Sequence, residues 1–338
     1  MPSLKASLAR HYPYKEAFLA CLAQSVATPS EDWPTVRIWT KKSLDRMFKS
    51  IRINLGESKS TLTNRELLGW VENLRLAFAI EAGSATFYLL EMGAGPGSEI
   101  DPLELMMAYE PSGVVCYFSA LAFHSLTSQV PSHHHVAVLT DNSIPDDSQG
   151  ARHGERVPHQ SGGDTQREKA LTEKSAHIKQ TRNTANVLGR PAYSYLDIPY
   201  YLTRRKQRLI PGVQTRSHGP RGRFRITTIE QSLLDTLYKP LHCGGPAVVL
   251  EAWQKATSSG SIDEERITEY LIQMDYQSTT RRVGAVLNLL GYSPGAVLKS
   301  CLDQAKQKLV RDAPHAQISL LPGFEYTNLD HERLVKLP

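Results

Sequence analysis

Residues Asp141 to Asn186 constrain this chain more than any other segment. They are dense in Ser, Gly, Gln, Asp, Arg and Lys and contain no aromatic residue. Ile144, Val157, Leu171 and Ile178 are their large aliphatics. So little apolar surface does not offset the entropy of ordering the segment. It reads as a mobile polar insertion at 141–186, with a helix over Thr165–Gln180 that forms transiently or on binding. The packed fold must therefore be built from the residues on either side. In a chain of 338 residues, 41% hydrophobic and 22% charged, two or three domains with ample core are expected.

The N-terminal part reads as three helices and a hairpin. Ala17, Phe18, Cys21, Leu22 and Val26 fall near helical spacing within Lys15–Val26. TPSEDWP breaks that pattern. A second helix is expected from Lys41 to about Ile51, with Leu44, Met47, Phe48 and Ile51 as its apolar side. Lys42, Arg46 and Lys49 share the opposite face. A third helix starts at Thr63, where Thr63 and Glu66 form a capping box, and buries Leu67, Leu68, Val71 and Leu74. Two β-prone runs then flank Ala82-Gly83-Ser84, the pattern of a hairpin. Three helices and a hairpin are the order of a winged helix-turn-helix domain, expected over 1–92. The plainer reading is a generic small α+β domain. Glu66 and Glu72 make the third helix a poor groove reader, so the basic face of the second is the better phosphate contact.

A linker is expected at 93–101. Its Gly93, Gly95 and Gly97 do not make a phosphate loop, because no Lys-Ser pair follows and Pro96 interrupts. Residues 102–338 read as a mixed α/β domain rich in helices. It begins with helices over Pro102–Tyr109, capped by Asp101, and Val115–Leu126, and a strand over His135–Thr140. After the insertion come a strand over Ala192–Ile198 and a strand, cap and helix in FRITTIEQSLLDTLYKP. Helices then follow over Ala247–Ala256, Asp263–Met274, Thr280–Leu290 and Pro294–Val310. The tail is expected to form short strands over Gln317–Leu321 and Phe324–Tyr326.

The run from Pro199 to Arg225 carries Arg204, Arg205, Lys206, Arg208, Arg216, Arg221, Arg223 and Arg225, with no carboxylate between Asp197 and Glu230. Net charge is only +5, so this basicity is regional. Charges this crowded repel one another, and a phosphate backbone gains directly from them through counterion release. A solvated basic loop is the competing reading. The duplex-DNA contacts expected from sequence are Lys41, Lys42, Arg46, Lys49, Arg204, Arg205, Lys206, Arg208, Arg221, Arg223 and Arg225.

Catalytic patterns are missing. Cys21, Cys116, Cys243 and Cys301 have no zinc spacing and read as reduced, mostly buried thiols. His133, His134 and His135 alternate in direction along an extended segment and so do not chelate one metal alone. Glu251 and Lys255 read as a surface ion pair, and Asp235 stands alone on its helix. The apolar run Ala17–Ala23 is too short for a signal peptide or membrane span. The expectation is a cytoplasmic protein with no membrane, no metal, no cofactor and no enzymatic activity.

Three segments carry a family resemblance. Ser119–Pro131 (SALAFHSLTSQVP), residues 224–245 (FRITTIEQSLLDTLYKPLHCGG) and residues 281–292 (RRVGAVLNLLGY) resemble, in order, segments of AbiEi-type antitoxins. The resemblance implies a winged-helix repressor with a C-terminal α/β antitoxin domain. It also implies an operator with repeats and an AbiEii-type nucleotidyltransferase toxin whose neutralisation need not involve a stable complex, in a type IV phage-defence system. The longer N-terminal domain and the insertion depart from the family pattern. The leading expectation is a DNA-binding, antitoxin-like transcriptional repressor. The alternatives are a non-enzymatic interaction module of a defence system that docks protein or RNA, and a cryptic nuclease.

Overall fold

The computed structural model describes residues 13–21, 23–24, 37–56, 63–90, 100–140, 188–218, 222–312 and 317–338. The insertion expected at 141–186, positions 93–99 of the expected linker, and Arg221 lie outside the described residues. The protein is mixed α+β and divides into two compact units. The first takes Met1–Val115, Ala192–Tyr200 and Gln214–Ile226; the second takes Cys116–Pro191, Tyr201–Val213 and Thr227–Pro338. The first unit thus gathers residues beyond 101 that the linear reading placed in the second domain.

In the first unit, residues 13–21 form helix α1. Strand β1 (Ile38–Thr40) runs directly into helix α2 (Lys41–Asn54), followed by α3 (Asn64–Asn73) and the hairpin β2 (Ala77–Ala82) and β3 (Ala85–Leu90). The three strands make an antiparallel sheet in the order β1-β3-β2. Ala82 pairs with Ala85, so the hairpin turn is the two residues Gly83 and Ser84. Gly83 takes φ +60°, which costs glycine nothing because it lacks a Cβ. β1 lies in the stretch that sequence left without an element. It is three residues long and pairs Trp39 with Tyr88, a register set by the partner strand rather than by local periodicity.

Both helices start on capping boxes. Thr40 pairs with Ser43 at the start of α2, and Thr63 with Glu66 at the start of α3. Leu44, Met47, Phe48 and Ile51 of α2 pack with Tyr14 and Phe18 of α1, Leu67, Trp70 and Val71 of α3, and Trp39 and Leu90 of the sheet. Helix α4 (Pro102–Tyr109) is capped by Asp101 and tied to this core by Arg37, whose guanidinium makes two 2.7 Å bonds to the buried Glu104 carboxylate. Strands β4 (Val114–Cys116) and β9 (Arg223–Thr227) pair in parallel, with Val114 opposite Arg225. Strands β6 (Tyr193–Tyr195) and β7 (Ile198–Lys206) pair antiparallel across Leu196 and Asp197, both at positive φ.

In the second unit, α5 covers Tyr117–Phe123, and its first residue follows strand β4, where sequence expected one helix from Val115. Strand β5 is His134–Thr140. Helix α6 (Ile229–Tyr238) is the hub and contacts α5, α7 (Pro246–Ser258), α8 (Glu264–Met274) and α9 (Gln277–Leu289). Leu233, Leu234 and Leu237 are fully buried there beside Val248, Trp253, Val283 and Val286. Thr228 caps α6 as expected, but the Gln231 side chain does not close the box. It accepts from Gly212 N–H and donates to Leu209 C=O and Asp235 instead. Helix α10 (Ala296–Asp312) precedes a small sheet of β10 (Ile318–Ser319), β11 (Asn328–Asp330) and β12 (Val335–Leu337) in the order β10-β12-β11. The tail strand expected at Phe324–Tyr326 does not form.

Arg205 of β7 and Asp235 of α6 are both 0% exposed and bonded twice, at 2.7 and 2.8 Å. Removing one partner leaves the other charge buried without compensation. Asp235→Ala is expected to lower unfolding free energy in denaturant by about 3–5 kcal/mol. The paired change of Arg205→Met with Asp235→Leu is expected to recover most of that loss. A loss below about 1 kcal/mol for Asp235→Ala would remove the pair from the fold's essential contacts.

Candidate functional site

The sequence-expected cations fall into three environments. Lys41, Lys42, Arg46 and Lys49 all lie exposed on α2, opposite its buried Leu44, Met47, Phe48 and Ile51. With Arg52, Asp45 and Asn64 they line an open groove of about 640 Å³ at the junction of α2 and the start of α3. The four are held in no ion pair with a described carboxylate. The structure therefore brings these residues together on one face of the first unit.

Their placement on the helix runs against its own electrostatics. Lys41 and Lys42 are the first two residues of α2, where the aligned peptide dipoles present positive charge, and the first turn has no acid. Cations there cost about 0.3–1 kcal/mol each. Lys42, Arg46 and Lys49 add like-charge neighbours at i, i+4 and i+7. Asp45, four residues from both Lys41 and Lys49, offsets part of this repulsion, and an anion docked in the groove gains from the remaining uncompensated positive charge.

The stretch read from sequence as a basic run is folded into strands, and β alternation sorts its charges. Arg204 is exposed, Arg205 fully buried and Lys206 half-buried along β7, and Arg208 is exposed on the 3-10 turn Gln207–Leu209; all belong to the second unit. Strand β8 (Val213–Ser217) carries exposed Arg216. On β9, Arg223 and Arg225 share one face while Phe224 and Ile226 are buried on the other. Arg225 donates to Ser112 C=O at 2.9 Å. Arg216, Arg223 and Arg225 belong to the first unit. Arg205 is the correction within this set: its guanidinium is committed to Asp235 and Leu209 C=O inside the second unit and presents no surface to a phosphate. Asp235, which sequence left alone, is its partner. One signal was available: Thr228, Gln231 and Asp235 recur at i, i+3 and i+7, a polar stripe on a helix whose neighbours are leucines.

Around Arg205 the second unit buries further polar groups. Its guanidinium carbon stands 5.0 Å from the Tyr117 ring centroid, and Tyr117 itself takes φ +57°, a left-handed backbone unusual for a bulky residue. The His135 ring centroid lies 5.0 Å from those of His133 and His242, 5.2 Å from Tyr117 and 4.9 Å from Tyr201. His133 Nε2 meets His242 C=O at 3.1 Å, and His134 Nδ1 meets Ser119 Oγ at 3.0 Å. Burial pushes the His242 imidazole down to about 3 and His135 well below the usual histidine range. The same burial pushes the Cys116 and Cys243 thiols up, so both are protonated and inert. Among the described residues no three or more His, Cys, Asp or Glu are grouped to hold a metal ion. Glu251 pairs with Lys255 at 2.9 Å as expected and also accepts from Thr127 and Ser128, which hold its carboxyl down at about 2.

Among the described residues no helix is long and apolar enough to cross a membrane. Protein-family models give no match to the sequence, and no curated protein matches it.

The geometry generates two expectations. His135 and His242 are neutral in the fold and protonate near 6.5 when unfolded, so the stability they contribute is complete above pH 6.5 and declines as pH falls toward 3. Denaturant melts are expected to change little from about pH 7.5 to about pH 6.5 and then to lose up to about 1.4 kcal/mol per pH unit for each histidine down to about pH 5, and His135→Phe should flatten that lower slope by one histidine's share. Second, Lys42→Glu complements the α2 dipole and places an acid four residues before Arg46. It is expected to raise stability by about 0.5 kcal/mol in the same melts.

Proposed function

We propose that the first unit is a DNA-binding unit of the winged helix-turn-helix type, and that the chain acts as an antitoxin-like transcriptional repressor on duplex DNA. The observation that carries this reading is the basic groove of α2, with Lys41, Lys42, Arg46 and Lys49 exposed around the start of α3. The element order supports it: helix, strand, helix, helix and a two-stranded hairpin, with the first strand pairing to the last. In this reading α2 grips phosphates and so orients the unit, while sequence is read by groups that reach base edges. Arg216, Arg223 and Arg225 belong to the same unit and are candidates for further backbone contacts.

The antitoxin half of the proposal rests on the resemblance of residues 119–131, 224–245 and 281–292 to AbiEi-type antitoxins. These segments contain α6 and parts of α5 and α9, both of which pack against α6 in the second unit. The chain acts by binding and does no chemistry of its own in this reading, and its counterpart is a nucleotidyltransferase toxin.

The test is a mobility shift of the full chain on duplex DNA from its own promoter, repeated across salt concentrations. Replacing Lys42, Arg46 and Lys49 with Gln is expected to weaken binding and reduce the log–log salt slope by roughly 0.9 for each phosphate no longer neutralised. Arg205→Met with Asp235→Leu should leave that slope unchanged, since the Arg205 guanidinium is buried. An unchanged slope in the triple variant would take α2 out of the interface. Rescue of growth from a co-expressed neighbouring nucleotidyltransferase tests the antitoxin half separately.

A further inference from the structure

Arg205 and Arg37 are each neutralised by a carboxylate, Asp235 for the first and Glu104 for the second. Arg282, on α9 of the second unit, is 8% exposed and meets no described carboxylate. Its Nε donates to Ser319 C=O at 2.9 Å and its Nη1 to Leu237 C=O at 3.4 Å. Two carbonyl oxygens satisfy hydrogen bonds but supply no counter-charge. Burial, together with the neighbouring Arg281, pulls the Arg282 guanidinium down to about 10. A charge taken out of water in this way costs several kcal/mol unless an anion offsets it.

The same guanidinium lines an open pocket of about 690 Å³ between α9 and the C-terminal sheet, with Gln317, Ser319, Tyr326, Thr327 and Lys336. The parallel pairing of β10 with β12 sets Ser319 beside Lys336. Arg282 and Lys336 thus line one space together with Gln317, Ser319, Thr327 and the aromatic Tyr326. A guanidinium edge with an ammonium and hydroxyls suits the several oxygens of a phosphate. Exposed Glu325 also lines the pocket and repels an extended polyanion, so a nucleic-acid backbone fits less well than a single phosphate group.

We propose that this pocket is a binding site for a small organic phosphate monoester, with its phosphate on Arg282 and Lys336 and its organic part against Tyr326. The site is separate from the α2 groove, and its occupant supplies the counter-charge that Arg282 lacks among the described residues.

The test is thermal unfolding and calorimetry of the full chain with inorganic phosphate, adenosine monophosphate and adenosine, against chloride at matched ionic strength. The two phosphates are expected to stabilise saturably below about 10 mM, and adenosine is not. Lys336→Gln should weaken adenosine monophosphate binding by about ten-fold, and Arg282→Lys by more, because a point charge does not replace the planar fork. Arg282→Lys also disturbs two backbone contacts, so Lys336→Gln and Thr327→Ala serve as the variants expected to fold normally. Lys42→Gln with Arg46→Gln should leave the affinity unchanged. The proposal fails if no saturable stabilisation is seen. It also fails if the α2 variants abolish the effect while Lys336→Gln does not, or if adenosine stabilises as well as its monophosphate.

Discussion

The Arg205–Asp235 pair is the constraint around which the second unit is arranged. Both groups are out of water, so each must be paired; among the described residues only Arg205 Nε is left without a hydrogen bond in this pair. Asp235 Oδ1 accepts from Arg205 and from Gln231, Arg205 Nη2 donates to Leu209 C=O, and Gln231 accepts from Gly212 N–H. This network fixes the position of β7 against α6 and draws in the turn that contains Leu209 and Gly212. Gly212 is indispensable here: a Cβ would stand 2.7 Å from Gln231 Cβ and 2.8 Å from Thr228 Oγ1. The pair's net contribution to stability is small, since its Coulombic gain is largely offset by desolvation, while loss of one partner alone is costly.

The same principle separates structural cations from candidate binding cations. An arginine held by a bidentate carboxylate, the buried Arg205 or the half-buried Arg37, has its charge compensated within the fold. Lys42, Arg46 and Lys49 are in the opposite condition, exposed and mutually repelling, with Lys42 also at the positive end of its helix. Arg282 is the intermediate case, buried yet with no described carboxylate beside it. The compensation each cation lacks is more informative about binding than the number of cations in a run.

That distinction explains how far the candidate site was legible in the sequence. The α2 stripe could be read directly, because Lys42, Arg46 and Lys49 and the opposing Leu44, Met47, Phe48 and Ile51 are related by local helical geometry alone. The caps at Thr63, Asp101 and Thr228 were legible for the same reason, as was the hairpin around Gly83-Ser84. Within the Arg204–Arg225 run, Arg205 was misjudged as a surface cation. Counting charges along a chain ignores that successive residues of a strand point to opposite sides, and that one of those sides is a protein interior.

What the sequence determined by itself, then, was what is set by contacts within a few residues: most of the helical segments, the starts that carry side-chain caps, and which face of each is apolar. It also determined that the first unit holds helices followed by a hairpin, and that α2 carries a basic face. Tertiary structure alone decided the short strand β1, the strand that precedes α5, the gathering of residues 192–200 and 214–226 into the first unit, and the fates of Arg205 and Arg282. Each of these depends on a partner distant in sequence. Asp235 lies 30 residues from Arg205, and Ser319 lies 37 from Arg282. A three-residue strand has too little periodicity to declare itself, and an arginine carries no local mark of whether its charge will meet a carboxylate, a carbonyl or water. Desolvation and charge compensation are properties of the assembled interior, so they are settled only when the chain has closed around them.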